Sequence, residues 1–208
     1  MTGPSRTLAV AALAVVALAA CTTSTTHPGS NDLDPAEERG PGEPELQTTG
    51  PIVPQQPGNL LTDPGAAQAA IDAITAELGP IVVRSFDLYD TYAIFEAQDP
   101  TIPENIDSYT FRDGELEGPE PVHVTNRDLE ELPNEVFTLA DVSWDVVAGL
   151  SQAAVTQLGI EDGVANHMGV SRTYDTHELR LSLSISGPRR DGSLEATADG
   201  TVLETELF

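Results

Sequence analysis

Residues 179–185, Leu-Arg-Leu-Ser-Leu-Ser-Ile, place an aliphatic side chain at every odd position and a polar one between. Neighbouring side chains of a strand point to opposite faces, so this run describes a strand with one oily and one wet face. A sheet made of such strands covers a core on one side only. Just upstream stands Tyr174-Asp175-Thr176. The same tripeptide recurs at Tyr89-Asp90-Thr91, ahead of a second alternating run in which Ala93, Phe95 and Ala97 oppose Tyr92, Ile94 and Glu96. Val82, Phe86 and Leu88 lead into it. Downstream of each run lies an Asp-Gly pair, Asp113-Gly114 in SYTFR-DG-ELE and Asp199-Gly200 in LEATA-DG-TVLE. Asp-Gly between short strands predicts two-residue type I′ hairpins, whose central residues both need positive φ.

Upstream of both alternating runs the period changes to that of a helix. Ala67, Ala70, Ile71, Ile74 and Leu78 share one helical face, and Val147, Leu150, Ala154 and Leu158 repeat the spacing in the second half. Gly79 and Gly159 close the two helices, as a left-handed C-terminal residue prefers. Asp63 before Pro64 predicts an N-cap with proline at the first helical position, and Asp141 or Ser143 is the candidate cap of the second helix. A rival register aligns Arg112-Asp113-Gly114 with Arg190-Asp191-Gly192, and both alignments cannot hold at once.

The expected fold is therefore α+β: two tandem repeats, each one helix packed on a three- to four-stranded antiparallel sheet. They span residues 61–118 and 140–208, joined by an acidic, proline-bearing connector at 119–139. The helices ending Leu-Gly, the hairpins and the closing Asp199-Gly200-Thr201-Val202 resemble the αβββ repeat of the PepSY and beta-lactamase-inhibitor-protein type. They also resemble the tandem helix-plus-antiparallel-sheet lipoproteins of high-GC Gram-positive bacteria, and the lack of any lysine agrees with such a genome. The inhibitor proteins use disulfides, which this chain, with its one cysteine, cannot form internally. The resemblance implies a non-enzymatic binding or accessory protein of the cell envelope.

At the N-terminus every residue from Leu8 to Ala20 is Ala, Val or Leu. The run suits a signal-peptide core and is shorter than the roughly 20 residues that cross a membrane. It ends in Leu18-Ala19-Ala20-Cys21, which resembles the lipobox of bacterial lipoproteins. That resemblance implies removal of residues 1–20 and attachment of diacylglycerol to the sulfur of Cys21. Two acyl chains would hold the protein stably on the outer, extracytoplasmic face of the cell membrane. Residues 21–60 are rich in Pro, Gly, Thr and acidic side chains, which predicts a disordered tether that cannot bury enough surface to fold.

Asp and Glu number 34 against nine Arg, a net charge of −25. Such a charge repels nucleic acid and anionic headgroups alike, so nucleic acid is excluded as a partner. No catalytic residue, metal site or cofactor is expected. Gly149-Leu150-Ser151-Gln152-Ala153 approximates a nucleophile elbow, but Ser151 falls inside the helical pattern rather than on a strand-to-helix turn. The histidines, His27, His123, His167 and His177, lack metal-ligand spacing; His167-Met168 with His177 is the nearest approach to a copper set. Trp144, near Phe137, packs in the core or anchors a partner; Arg189 and Arg190, in the turn from Gly187 to Gly192, are the other candidate partner contacts. The favoured reading is a tethered binding module whose two sheets present a polar face to an unidentified envelope protein. A lipid or glycolipid carrier, needing a large apolar cavity, is the alternative, and a hydrolase comes third.

Overall fold

The structure, a computed structural model, describes residues 58–208. The leader, Leu18 to Cys21, His27 and the proposed tether up to Pro57 lie outside the described residues. The chain then runs α1 (Ala66–Leu78), β1 (Val82–Leu88), β2 (Tyr92–Gln98), β3 (Ile106–Arg112), β4 (Glu115–Val122), α2 (Asn126–Glu135) and β5 (Phe137–Thr138). Two short 3₁₀ turns, Leu139–Asp141 and Trp144–Val146, precede α3 (Val147–Leu158). Four strands complete it: β6 (Val164–Arg172), β7 (Leu179–Ser186), β8 (Asp191–Thr197) and β9 (Val202–Leu207).

All nine strands join one antiparallel sheet in the order β4-β3-β2-β1-β6-β7-β8-β9, with β5 paired to the start of β1. The separate sheet expected for each half does not form. β1 and β6 pair through Phe86↔Val170, Asp87↔Gly169 and Leu88↔Met168. Two free edges, each with a row of unpaired backbone groups, satisfy one another there. One core results instead of two. Phe86, Leu88 and Phe95 from the first half share a single cluster with Met168, Leu181 and Leu183 from the second. Phe86 is the hinge of the packing: its ring stacks on Phe95 at 5.3 Å and meets Trp144 at 4.8 Å.

The helical faces are those the periodicity predicts. α1 buries Ala67, Ala70, Ile71 and Ile74, and α3 buries Val147, Leu150, Ser151, Ala154 and Leu158. Their starts differ from expectation. α1 begins at Ala66, with Gly65 as N-cap at φ 79, and not at Pro64. The Asp63 carboxylate instead accepts the backbone N–H of Asn59 at 2.9 Å, closing a preceding turn. Asp141 accepts the Thr138 N–H and hydroxyl in a capping box around the first 3₁₀ turn, so it does not cap α3.

The two Asp-Gly turns also part company. Asp113 and Gly114 take φ 54 and 80 between β3 and β4, the expected type I′ hairpin. Between β8 and β9 only Gly200 is positive, at φ 89; its N–H reaches Thr197 O, while Thr197 N–H reaches Thr201 O. That is a type I turn closed by a glycine bulge. Tyr89–Thr91 lies between β1 and β2 and Tyr174–Thr176 between β6 and β7, whereas Asp191-Gly192 opens β8. The connector is structured as well: β4 continues past Gly118 to Val122, and α2 follows with its own capping box, Thr125 with Asp128.

Candidate functional site

Helices α1 and α3 cover the face that carries the core, and the opposite face of the sheet stays accessible. One row across it is set by register: Thr110 on β3, Ile94 on β2, Asp87 on β1, Gly169 on β6, Ser182 on β7 and Glu195 on β8. Ile94 is 36% exposed, a large aliphatic on a wet face. At Gly169 the missing side chain leaves space beside Asp87: a Cβ there would sit 3.6 Å from Asp87 Oδ1 and 3.4 Å from the His167 ring.

Along one side of this row runs a ladder of flat groups. The Arg112 guanidinium lies 4.5 Å above the Tyr92 ring, Tyr92 stacks on Tyr89 at 4.5 Å, and Tyr89 meets the His167 ring at 4.9 Å. His167 Nε2 lies 2.9 Å from Asp87 Oδ1, which ties the ladder across the central β1–β6 seam. Cation–π and stacking contacts of this kind each contribute about 0.5–1.5 kcal/mol and fix ring positions. Partial burial, with the nearby Asp87 and Tyr92 adding, pushes the Tyr89 phenol above its ordinary value of 10.0, so it remains a neutral donor at physiological pH. At the far end of β1, Arg84 is bracketed by Glu96 at 3.7 Å and by Glu135 of α2 at 2.8 Å. Arg172 Nε donates to Val136 O at 2.8 Å, so α2 is clamped to that end of the sheet.

The sequence marks Tyr89, Tyr92 and Arg112 only as parts of repeat and strand patterns, and His167 only for a different chemistry. Its copper set does not converge: Met168 is fully buried in the core, so His167 one residue earlier points the other way. Among the described residues no group of three or more His, Cys, Asp or Glu is placed to hold a metal ion. Trp144 is 2% exposed and its Nε1–H donates to Leu139 O at 2.7 Å, making it a packing residue and not a partner contact. Arg189 and Arg190 are exposed beside a recess bordered by Ile160 and Glu161. Ser151 sits within α3, buried, with its hydroxyl unbonded among the described residues and no base beside it.

Two grooves lie on the helix side. One of about 610 Å³ runs between α1 and residues 138–144, and one of about 620 Å³ lies between residues 62–64, α3 and the start of β6. No helix among the described residues is long and apolar enough to cross a membrane.

No family model matches the chain, and no curated protein matches it. Among solved structures it is similar to the crystal structure of a candidate lipoprotein from Clostridium difficile 630, with a TM-score of 0.51 and 12% identity. The match covers 73% of this chain and 99% of that one. At such identity the likeness is one of fold: an α+β architecture in which helices back an antiparallel sheet.

Proposed function

We propose that the protein is a lipoprotein held through Cys21 on the outer face of the cell membrane, where it acts as a non-enzymatic binding module. Its open sheet face is the binding surface, and its partner is another envelope protein. The observation that carries this reading is the ladder Arg112–Tyr92–Tyr89–His167–Asp87, displayed on the face that no core requires. Aromatic and arginine side chains held in place in this way are the groups from which interface hot spots are built. The lipobox resemblance and the fold shared with a candidate lipoprotein support the anchored setting.

The tandem-repeat reading belongs to the same proposal. It is supported by the element order, since α1-β1-β2-β3-β4 is followed by α3-β6-β7-β8-β9 and the strand order runs outward from the β1–β6 seam in both directions. Placement of both Tyr-Asp-Thr stretches after the first strand of each half, and both Asp-Gly pairs before the last, agrees with it.

Two measurements test the proposal. Cys21→Ala is expected to move the protein from the membrane fraction to the soluble fraction and to abolish lipid labelling; continued labelling refutes the anchor. A photo-crosslinking residue at Ile94 is expected to capture an envelope protein from intact cells, and one at the exposed Glu77 of α1 is not. Capture from Glu77 alone would place the binding surface on the helix side.

A further inference from the structure

The sheet has two outer edges, and they are built differently. β4 reads Glu-Leu-Glu-Gly-Pro-Glu-Pro-Val, with Pro119 and Pro121 lacking the N–H a new strand would need and an irregularity opposite Tyr109. Proline, charge and bulges are the usual means of keeping an edge from pairing. β9, Val-Leu-Glu-Thr-Glu-Leu, shares the acidic residues and has its own irregularity at Leu203, but it contains no proline, and its ladder is regular from Glu204 onward. Phe208 N–H donates to Asp191 O at 2.9 Å, and an antiparallel ladder alternates bonded and unbonded pairs. Glu206 and Glu204 are therefore the residues bonded to β8, and the N–H and C=O groups of Thr205 and Leu207 point out of the sheet.

The side chains along this edge specify what would pair with it. Thr205 stands opposite the buried Leu194 and Leu207 opposite the buried Gly192, so both lie on the helix side. Leu207 is nonetheless 46% exposed, with Leu203 at 47% and Phe208 at 68%. On the other side Glu204 faces Glu195 directly across the strands, a like-charge pair that costs stability when left uncompensated. Glu206 extends the acidic row. A second copy would bring the same carboxylates against these, in a protein of net charge −25, and is disfavoured.

We infer that β9 is an augmentation edge that takes an extended segment of another protein, one alternating aliphatic with Lys or Arg side chains, as a further strand. Main-chain bonds to Thr205 and Leu207 supply the docking. Aliphatic groups of the incoming strand lie beside Leu207 and Leu203, and its basic groups lie beside Glu204 and Glu206. This site is distinct from the open face and does not depend on it.

The test uses the mature chain and a fluorescent peptide, acetyl-Lys-Val-Lys-Val-Lys-Val-amide, followed by anisotropy. Saturable binding is expected, with slowed amide exchange at Thr205 and Leu207. Thr205→Pro removes an outward N–H without removing a bond to β8, and is expected to weaken binding about tenfold while the thermal transition holds. The double reversal Glu204→Lys, Glu206→Lys and a peptide N-methylated along its pairing edge are expected to do the same, and they keep the test open if Thr205→Pro fails to fold. The inference is overturned if no binding occurs, if the block peptide Lys-Lys-Lys-Val-Val-Val binds within about twofold, which would be net charge alone, or if N-methylation is without effect. It is equally overturned if binding appears only after residues 22–56 are deleted, which would make the chain's own N-terminal segment the occupant, or if the protein sediments as a dimer that Thr205→Pro dissociates.

Discussion

Replacing Ser151 with alanine should make the protein more stable. Ser151 is 2% exposed in the middle of α3, and its Oγ has no hydrogen-bond partner among the described residues. A buried hydroxyl left unbonded costs about 1–3 kcal/mol relative to water. Serine is also a poorer helix former than alanine, by about 0.5 kcal/mol in a helix interior. Against these gains stands the void left by one oxygen, a few tenths of a kcal/mol at roughly 24 cal/mol per Å³. Ser151 borders the groove lined by Gly149, Gln152 and Val164, so a water that reaches the oxygen from there brings the penalty to the low end of its range. The net expectation is a gain of about 1 kcal/mol, or roughly 2–4 °C in melting temperature for a domain of this size. Urea unfolding followed by circular dichroism, with calorimetry in parallel, measures it. Ser151→Gly serves as the reference, since it removes the same hydroxyl but has a helix propensity about 1 kcal/mol below that of alanine and about 0.5 kcal/mol below that of serine. An unchanged or lowered midpoint for Ser151→Ala would show that the hydroxyl is bonded in solution and would refute the reasoning.

Two further perturbations follow from the same structure. Trp144→Phe keeps most of the ring contact with Phe86 but leaves Leu139 O without its donor, so a loss of about 1–3 kcal/mol is expected in urea unfolding, against about 3–5 kcal/mol for Trp144→Ala. Acid should destabilise the protein through Asp99, Asp128, Asp141 and Asp199. Hydrogen bonds from Thr101, Thr125, Thr138, and Thr197 with Thr201, hold these carboxyls below their ordinary value of 3.8. Because the folded value lies below the unfolded one, their contribution is full above pH about 4 and is lost as pH falls through the folded values. The urea midpoint should drop there, and Thr125→Val with Thr138→Val should flatten that drop; an unaltered acid limb in the double variant would show that these bonds do not carry it.

The elements that sequence periodicity could reach are those whose side chains repeat locally. The core faces of α1 and α3 and the alternation of β2 and β7 needed only near neighbours, and they stand where the pattern placed them. Val82 shows how a single inserted residue defeats the pattern. The ladder shifts between Val83 and Ser85, so the buried side chain upstream of the shift is Val83, and Val82 is only half-buried. Asp63-Pro64 has every mark of a helix start, yet the Asp63 carboxylate finds Asn59 N–H first and the helix waits for Gly65. The fusion of the two halves was out of reach, because Phe86↔Val170 and Leu88↔Met168 are ordinary apolar positions that reveal nothing of their partner. The site failed for the same reason. Asp87 and His167 become neighbours only through that seam, and each alone is an unremarkable polar residue in a strand.

The seam also accounts for the rigidity of the open face that the proposed binding role requires. A lone three- or four-stranded sheet with one helix would leave Tyr89 and His167 at a free edge, where strands fray most readily. Pairing β1 with β6 brings both to the central seam, Tyr89 in the turn that follows β1 and His167 on β6, with Phe86 and Met168 buried on the opposite face. The Tyr89 ring is held between Tyr92 and His167, and His167 is held in turn by Asp87. Tyrosine has few rotatable bonds, and here those are already restricted by stacking, so a partner docking on this face would lose little side-chain entropy. On the β7 side the same face carries the short hydroxyls of Ser182, Ser184 and Ser186 beside the longer Arg180. The relief of the ladder thus arises from strands that pair across the middle of the chain.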